Sequence, residues 1–163
     1  LGDRDKTTTV QDNREALKIL KANHVNCTGS MFFRPDFTQD QFDRLIAHTV
    51  ELEIDCPQYF ILTPIPGTKL FDKSAGQFVE HDYDLWDFNH AVLPTRMPLE
   101  KFYENYMLAY QTHMHPFAVE FYQRKLAQMT KEEIDEEMNG LLWFREVFGA
   151  LHEDHKEYHG PDA

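Results

Sequence analysis

The chain has 163 residues and carries 28 acidic against 16 basic side chains, a formal net charge of −12. This balance argues against a nucleic-acid binder, which needs Lys and Arg to neutralise phosphates, and against attraction to an anionic membrane surface. Apolar residues make up 42% and aromatic residues 13%, so a buried core is expected rather than disorder. No apolar run approaches the ~18 residues that a membrane-spanning helix needs.

The two cysteines, Cys27 and Cys56, are too few for a disulfide framework and too far apart for a metal-ligand pair. Both fall in strand-like stretches, where a small buried thiol is expected. A reducing cytoplasm is the predicted location, and no metal site is predicted.

The first half of the chain predicts alternating helices and strands. Thr9 starts a helix that ends at Asn23-His24, and residues 25–33 alternate in the manner of a strand. Thr38 with Gln41 forms a capping box for a second helix, and residues 58–63 form a second strand. Short connections between helices and strands in this order predict an α/β fold with parallel strands.

The second half predicts a turn, a long loop and helices. Pro66-Gly67 suits the centre of a type II turn. Residues 76–98 are irregular and rich in aromatic and acidic side chains, and we expect them to lie across other elements. Helices are predicted from Pro98 to about residue 115, again from Pro116, and finally after the Thr130–Glu133 capping box.

Four stretches follow one another along the chain: residues 7–13 (TTTVQDN), 27–33 (CTGSMFF), 61–71 (ILTPIPGTKLF) and 82–103. Together they resemble radical S-adenosylmethionine (radical SAM) enzymes of the cobalamin-binding branch, which include radical SAM methyltransferases and the anaerobic magnesium-protoporphyrin monomethyl ester cyclase family of tetrapyrrole biosynthesis. Residues 27–33 with the following loop are similar to the fifth barrel strand of these enzymes, and residues 61–71 to the sixth. Residues 7–13 resemble the helix start after the fourth strand, and residues 82–103 the stretch after the barrel. The resemblance covers about residues 5–110.

This resemblance implies an α/β fold consisting of the C-terminal β/α units of a partial TIM-like barrel, followed by a mostly helical extension. Residues 1–75 would form the barrel units, 76–97 an aromatic, acidic connecting loop and 98–163 the extension. The chain starts without Met and with a helix where a β/α repeat would have an upstream strand, so we expect part of a longer polypeptide. The predicted partners are the rest of that polypeptide, a small-molecule substrate and, through exposed strand edges, a second copy of the chain.

The resemblance also implies cofactor contacts but no catalytic residue. The residues expected to line the cofactor side or the barrel mouth are Gly29, Ser30, Met31, Thr63, Pro64 and Pro66. The parent enzyme would use S-adenosylmethionine, a [4Fe–4S] cluster and cobalamin. This chain lacks the CxxxCxxC cluster motif, so none of these is expected to bind it tightly. Arg34 and Phe37 stand where the family's loop has Gly and Glu. For Gly29, close packing of a buried strand is an equal alternative.

Two further features have alternative interpretations. The aromatic residues of the helix after Pro98 favour a core, although they could stack a flat substrate. A non-catalytic helical interaction module is the alternative function, and its partner-binding patch would leave Trp86, Phe102 and Tyr106 exposed. His155 and His159 are four residues apart, but the surrounding charges favour a solvated tail over a metal site. His81 and His90 are candidates for a substrate lid, with structural hydrogen bonding favoured.

Overall fold

The computed structural model describes residues 10–112, 123–156 and 158 of a mixed α/β chain. The strands are β1 (Thr28–Phe33) and β2 (Cys56–Ile61), and the helices are α1 (Val10–Ala22), α2 (Gln39–Leu52), α3 (Lys69–Lys73), α4 (Leu99–Thr112) and α5 (Lys131–Gly149). Short 3₁₀ turns span Tyr83–Leu85 and Leu151–Asp154. The Thr9 cap, the helix predicted from Pro116 and His159 lie outside the described residues.

The first half of the chain forms the predicted parallel βαβ unit. Strands β1 and β2 pair in parallel from Thr28 opposite Cys56 to Phe33 opposite Ile61. Helix α2 connects them and begins with the predicted Thr38–Gln41 capping box. Strand β1 begins three residues later than predicted, and β2 begins and ends two residues earlier than predicted. Strand β2 ends at Ile61, and the two prolines that follow have no N–H to continue a ladder.

The two faces of the sheet differ because successive side chains of a strand point to opposite sides. Phe33 is fully buried and stacks on Phe42 of α2, with ring centroids 4.8 Å apart. Phe32, on the other face, is 45% exposed. Cys56 lies at an exposed position on that open face, so the buried thiol expected there is wrong.

Helix α4 covers the outer edge of β2, the edge that does not pair with β1. The hydroxyls of Tyr106 and Tyr110 both donate to the backbone C=O of Tyr59, at 2.8 and 2.9 Å. Phe102 packs edge-on against Phe42, with ring centroids 5.2 Å apart. The aromatic stripe is therefore core, as predicted, and Phe102 and Tyr106 are not available for a partner-binding patch.

A reciprocal amide pair fixes α4 against the start of α2. The side-chain amide of Gln39 donates to Asn105 at 3.1 Å, and that of Asn105 donates back to Gln39 at 2.9 Å. Asn105 is buried at 3% exposure, so this pairing satisfies amide groups that water cannot reach.

The chain after α4 returns to the same core. Helix α5 begins with the predicted Thr130–Glu133 capping box, and near its end the ring of Phe148 contacts that of Tyr110. Leu151 then enters the core beside Tyr103 and Tyr106. None of the helices in the described ranges is both long and apolar enough to cross a membrane.

Removing the two α4 hydroxyls should show that they share one acceptor. Tyr106→Phe or Tyr110→Phe alone should lower the free energy of unfolding by about 0.5–1.5 kcal/mol, because the Tyr59 carbonyl keeps one donor. The double variant should lose more than the sum, because that carbonyl is then buried without a partner. Urea unfolding of the four proteins measures the coupling. Additive losses would contradict the shared-acceptor geometry.

Candidate functional site

A cleft of about 330 Å³ lies at the carboxyl ends of the two strands. This is the end of a parallel α/β unit at which ligands usually bind. Its walls come from the loop after β1, the residue after β2, helix α3 and the loop before α4. The lining residues are Arg34, Pro35, Asp36, Leu62, Leu70, Ser74, Gln77, Leu93 and Pro94. Most of these are apolar, and the one ion pair lies at the β1 loop.

That ion pair joins Arg34 and Asp36 in a two-pronged contact. The Arg34 Nε and Nη2 atoms donate to the two carboxylate oxygens of Asp36 at 2.8 and 2.7 Å. The hydrogen bonds from Arg34 hold the pKa of Asp36 below its usual value despite partial burial. Phe37 instead turns inward and contacts the rings of Phe33 and Phe42. The residue at the family's Glu position is thus part of the core packing.

The three predicted residues of β1 do not share one face of the sheet. Gly29 and Met31 point toward α2, and Met31 packs against the hydrophobic core. Ser30 lies between them in sequence and is exposed on the open face. A Cβ atom on Gly29 would lie 2.7 Å from Cδ1 of Ile54, which is itself buried. Close packing against Ile54 thus favours a glycine at this position, and the cofactor role of Gly29 stays a prediction.

The residues after β2 lie apart from that group. Ser30 is opposite Gln58, three residues before the end of β2, and Thr63 lies two residues beyond that end. Thr63 is buried and its hydroxyl donates to the C=O of Ile61 at 3.1 Å, while Pro64 is buried and Pro66 is exposed. Gly67 has φ of +83°, which agrees with the predicted type II turn. The six predicted residues thus form two separate groups.

A second polar cluster, which the sequence did not indicate, lies at the C-terminal 3₁₀ turn, with its two histidine rings buried and Asp87 and Asp154 partly exposed. His155 contacts Glu80 through Nδ1 at 3.2 Å and the hydroxyl of Tyr103 through Nε2 at 2.8 Å. His90 contacts Asp87 through Nδ1 at 3.0 Å and Asp154 through Nε2 at 3.2 Å. We call these six residues the histidine cluster.

The prediction of a solvated tail at His155 is wrong, because its side chain has no exposed surface. Its partners Glu80 and Tyr103 lie 75 and 52 residues away in sequence, so no local spacing could reveal them. His90 makes the structural hydrogen bonds that were favoured, and His81 is exposed. Among the described residues, no group of three or more His, Cys, Asp or Glu side chains could hold a metal ion.

Two proteins similar to this chain have names that refer to methyl transfer. The hopanoid C-3 methylase of Methylococcus capsulatus is 29% identical over 113 residues, 67% of this chain and 22% of that protein. An uncharacterized methyltransferase of Pyrococcus horikoshii is 34% identical over 68 residues, 41% of this chain and 15% of that protein. The chain thus spans less than a quarter of the length of either relative. No family model and no solved structure matches it.

Substituting Gly29 tests whether close packing requires a glycine at this position. Gly29→Ala should lower the free energy of unfolding by about 1–3 kcal/mol, because the new methyl group overlaps Ile54. Ser30→Ala, one residue away on the open face, is the matched control and should change it by less than about 0.5 kcal/mol. Thermal and urea unfolding of both variants provide the measurement. Equal stability of Gly29→Ala and the unmodified chain would rule out close packing as the reason for the glycine.

Proposed function

We propose that this chain is the C-terminal part of a radical SAM methyltransferase. Residues 1–75 would supply the last two β/α units of its barrel, 76–97 the connection, and 98–163 a helical extension. The similarity to the hopanoid C-3 methylase over 67% of the chain is the observation that carries this proposal. The sequence resemblance to radical SAM strands five and six supports it, and so does the parallel βαβ unit.

The hydrogen bonding at the two edges of the sheet supports the proposal that these strands are the last two of a partial barrel. In a parallel ladder the N–H and C=O groups of alternate residues point to opposite edges. The C=O of Phe33 accepts the N–H of Leu62 and therefore points toward β2. The backbone N–H and C=O groups of Thr28, Ser30 and Phe32 then point away from β2, to the outer edge of β1. No hydrogen bond to these outward groups is formed by the described residues. The β2 edge, by contrast, is covered by α4, as suits a last strand.

The chain's residues fit a wall for the cofactor and substrate, without holding the cluster. A [4Fe–4S] cluster takes four ligands and is held by Cys thiolates, and the sequence contains only Cys27 and Cys56. The cluster would supply the electron that cleaves S-adenosylmethionine, and its ligands would come from another part of the parent protein. On the open face, Ser30 and Gln58 offer a hydroxyl and an amide to a bound cofactor, while the apolar cleft suits an apolar part of a substrate.

Methyl transfer is the reaction we favour over cyclisation. Both relatives are named as methyltransferases or methylases, which supports this choice. Cobalamin remains the third cofactor predicted from the family resemblance. The partners proposed are the remainder of the parent polypeptide and a small-molecule substrate.

The coding region before Leu1 gives the most direct test. In-frame codons for a CxxxCxxC segment upstream would support the proposal. An upstream reading frame without such a segment, or a start codon directly before Leu1, would contradict it.

Ser30→Pro should prevent assembly with the upstream barrel segment expressed as a separate chain. Proline removes the outward N–H of Ser30 and adds a ring at the open edge, while the β1–β2 ladder uses the neighbouring residues. We expect at least a tenfold loss of copurified complex, because losing one to two hydrogen bonds at this edge weakens binding by about that factor. Ser30→Ala keeps the N–H and should assemble normally. Circular dichroism checks that both variants fold, and normal assembly of a folded Ser30→Pro chain would contradict pairing at this edge.

A further inference from the structure

The histidine cluster joins three parts of the chain that are distant in sequence. It connects the loop before α4, helix α4 and the C-terminal segment, by which we mean residues 151–156 and Tyr158. The exposed fractions of the His90 and Glu80 side chains are 7% and 5%, and His155 is fully enclosed. Tyr158 adds a further link, because its hydroxyl accepts the N–H of Thr95 at 2.8 Å. The docking of the C-terminal segment is therefore polar apart from Leu151.

The two carboxylates around His90 favour a protonated ring. Each ring nitrogen faces a carboxylate oxygen, of Asp87 on one side and of Asp154 on the other. A neutral imidazole has one N–H and would direct its remaining lone pair at an anion. Burial opposes a charge here, but the hydrogen bonds and charges of Asp87 and Asp154 outweigh it and raise the pKa of His90.

Enclosure and the nearby His90 ring favour a neutral ring at His155, and its contacts can be satisfied in that state. The Tyr103 oxygen accepts the N–H of Ala91 at 3.0 Å, and its own proton can be donated to Nε2 of His155. The opposite nitrogen, Nδ1, then donates to Glu80. The other oxygen of Glu80 accepts the backbone N–H groups of His81 and Asp82. Burial first, and then the charge of nearby His90, lower the pKa of His155.

We infer that the two histidines form a proton-operated clasp, which holds the C-terminal segment only while His90 is protonated and His155 is neutral. The ring centroids lie 5.5 Å apart, so a second proton on the pair would place two cations side by side. Loss of the His90 proton would remove the cation between Asp87 and Asp154, whose side chains are 39% and 57% exposed, and with it the ion pair that holds Asp154 of the segment.

Further ionisable groups face the two histidines and contribute to their electrostatic environment. Asp87 and Glu80 face it from the loop before α4, Tyr103 from α4, and Asp154 and Tyr158 from the C-terminal segment. A cleft of about 500 Å³ adjoins the cluster, and Glu80 and Asp154 of the cluster line it together with His81, Asp82 and Lys156. Release of the segment would expose the buried rings of His90 and His155. It would also break the hydrogen bond between Tyr158 and Thr95. Thr95 directly follows Leu93 and Pro94, which line the cleft at the carboxyl ends of the strands.

The two pKa shifts limit the docked state from opposite sides. A raised pKa stabilises the docked state below the ordinary histidine value of about 6.5, and this contribution is lost as the pH rises through the folded pKa of His90. A lowered pKa stabilises it above about 6.5, and this contribution is lost as the pH falls through the folded pKa of His155. Both contributions are complete only near pH 6.5, so docking should be strongest there.

Hydrogen exchange of the 163-residue chain across pH tests the clasp. After correction for intrinsic exchange, deuterium uptake in residues 151–156 should be lowest near pH 6.5. Toward either side it should rise by up to about tenfold per pH unit, the slope expected for one proton. His90→Gln should remove the alkaline rise, and His155→Gln the acid rise. His81→Gln, an exposed neighbour of Glu80, is the matched control and should keep both. Uptake that changes in one direction only would overturn the inference.

Nitrogen-15 NMR of the histidine rings in the unmodified chain provides a test that needs no variant. At pH 6.5 the ring of His90 should show two protonated nitrogens, and that of His155 one, at Nδ1. This measurement stands even if the glutamine variants fail to fold. A neutral His90, a protonated His155, or the same ordinary pKa for both would overturn the clasp.

Discussion

The backbone C=O of Tyr59 is the point on which the described fold depends. It lies on the edge of β2 that faces away from β1, where a buried carbonyl without a donor would be costly. Two tyrosines of α4 donate to it, and so attach a helix where a barrel would have another strand. The same helix carries Phe102 into the core and presents Tyr103 to His155. The need to satisfy this carbonyl thus links the βαβ unit to α4 and, through α4, to the C-terminal segment.

Features determined by near neighbours in sequence could be predicted, because their partners are a few residues away. The capping boxes at Thr38 and Thr130 and the turn at Gly67 are of this kind. The core role of the α4 stripe follows from helical spacing. The alternation of a strand also implies that Gly29 and Ser30 face opposite sides. The family resemblance implies that both line the cofactor side, and which of them contacts a cofactor stays a prediction.

Features determined by distant partners could not be predicted. The segment around His155 is rich in charge and reads as solvated, yet its ring is enclosed by Glu80 and Tyr103 from two other elements. The amide pair of Gln39 and Asn105 is equally hidden, since 66 residues separate its members. In each case a polar side chain is buried because a specific partner satisfies it, and such matching leaves no periodic trace.

The open face of the sheet has a consequence for the behaviour of the chain in solution. It displays the half-exposed ring of Phe32 beside a strand edge that no residue of the described ranges pairs with, a combination that favours self-association. The net charge of −12 opposes this, because two copies repel each other before their edges can meet. Salt weakens that repulsion over a screening length of about 8 Å at physiological ionic strength. Raising the ionic strength should therefore favour self-association of the chain through this edge, and lowering it should keep the edge solvated.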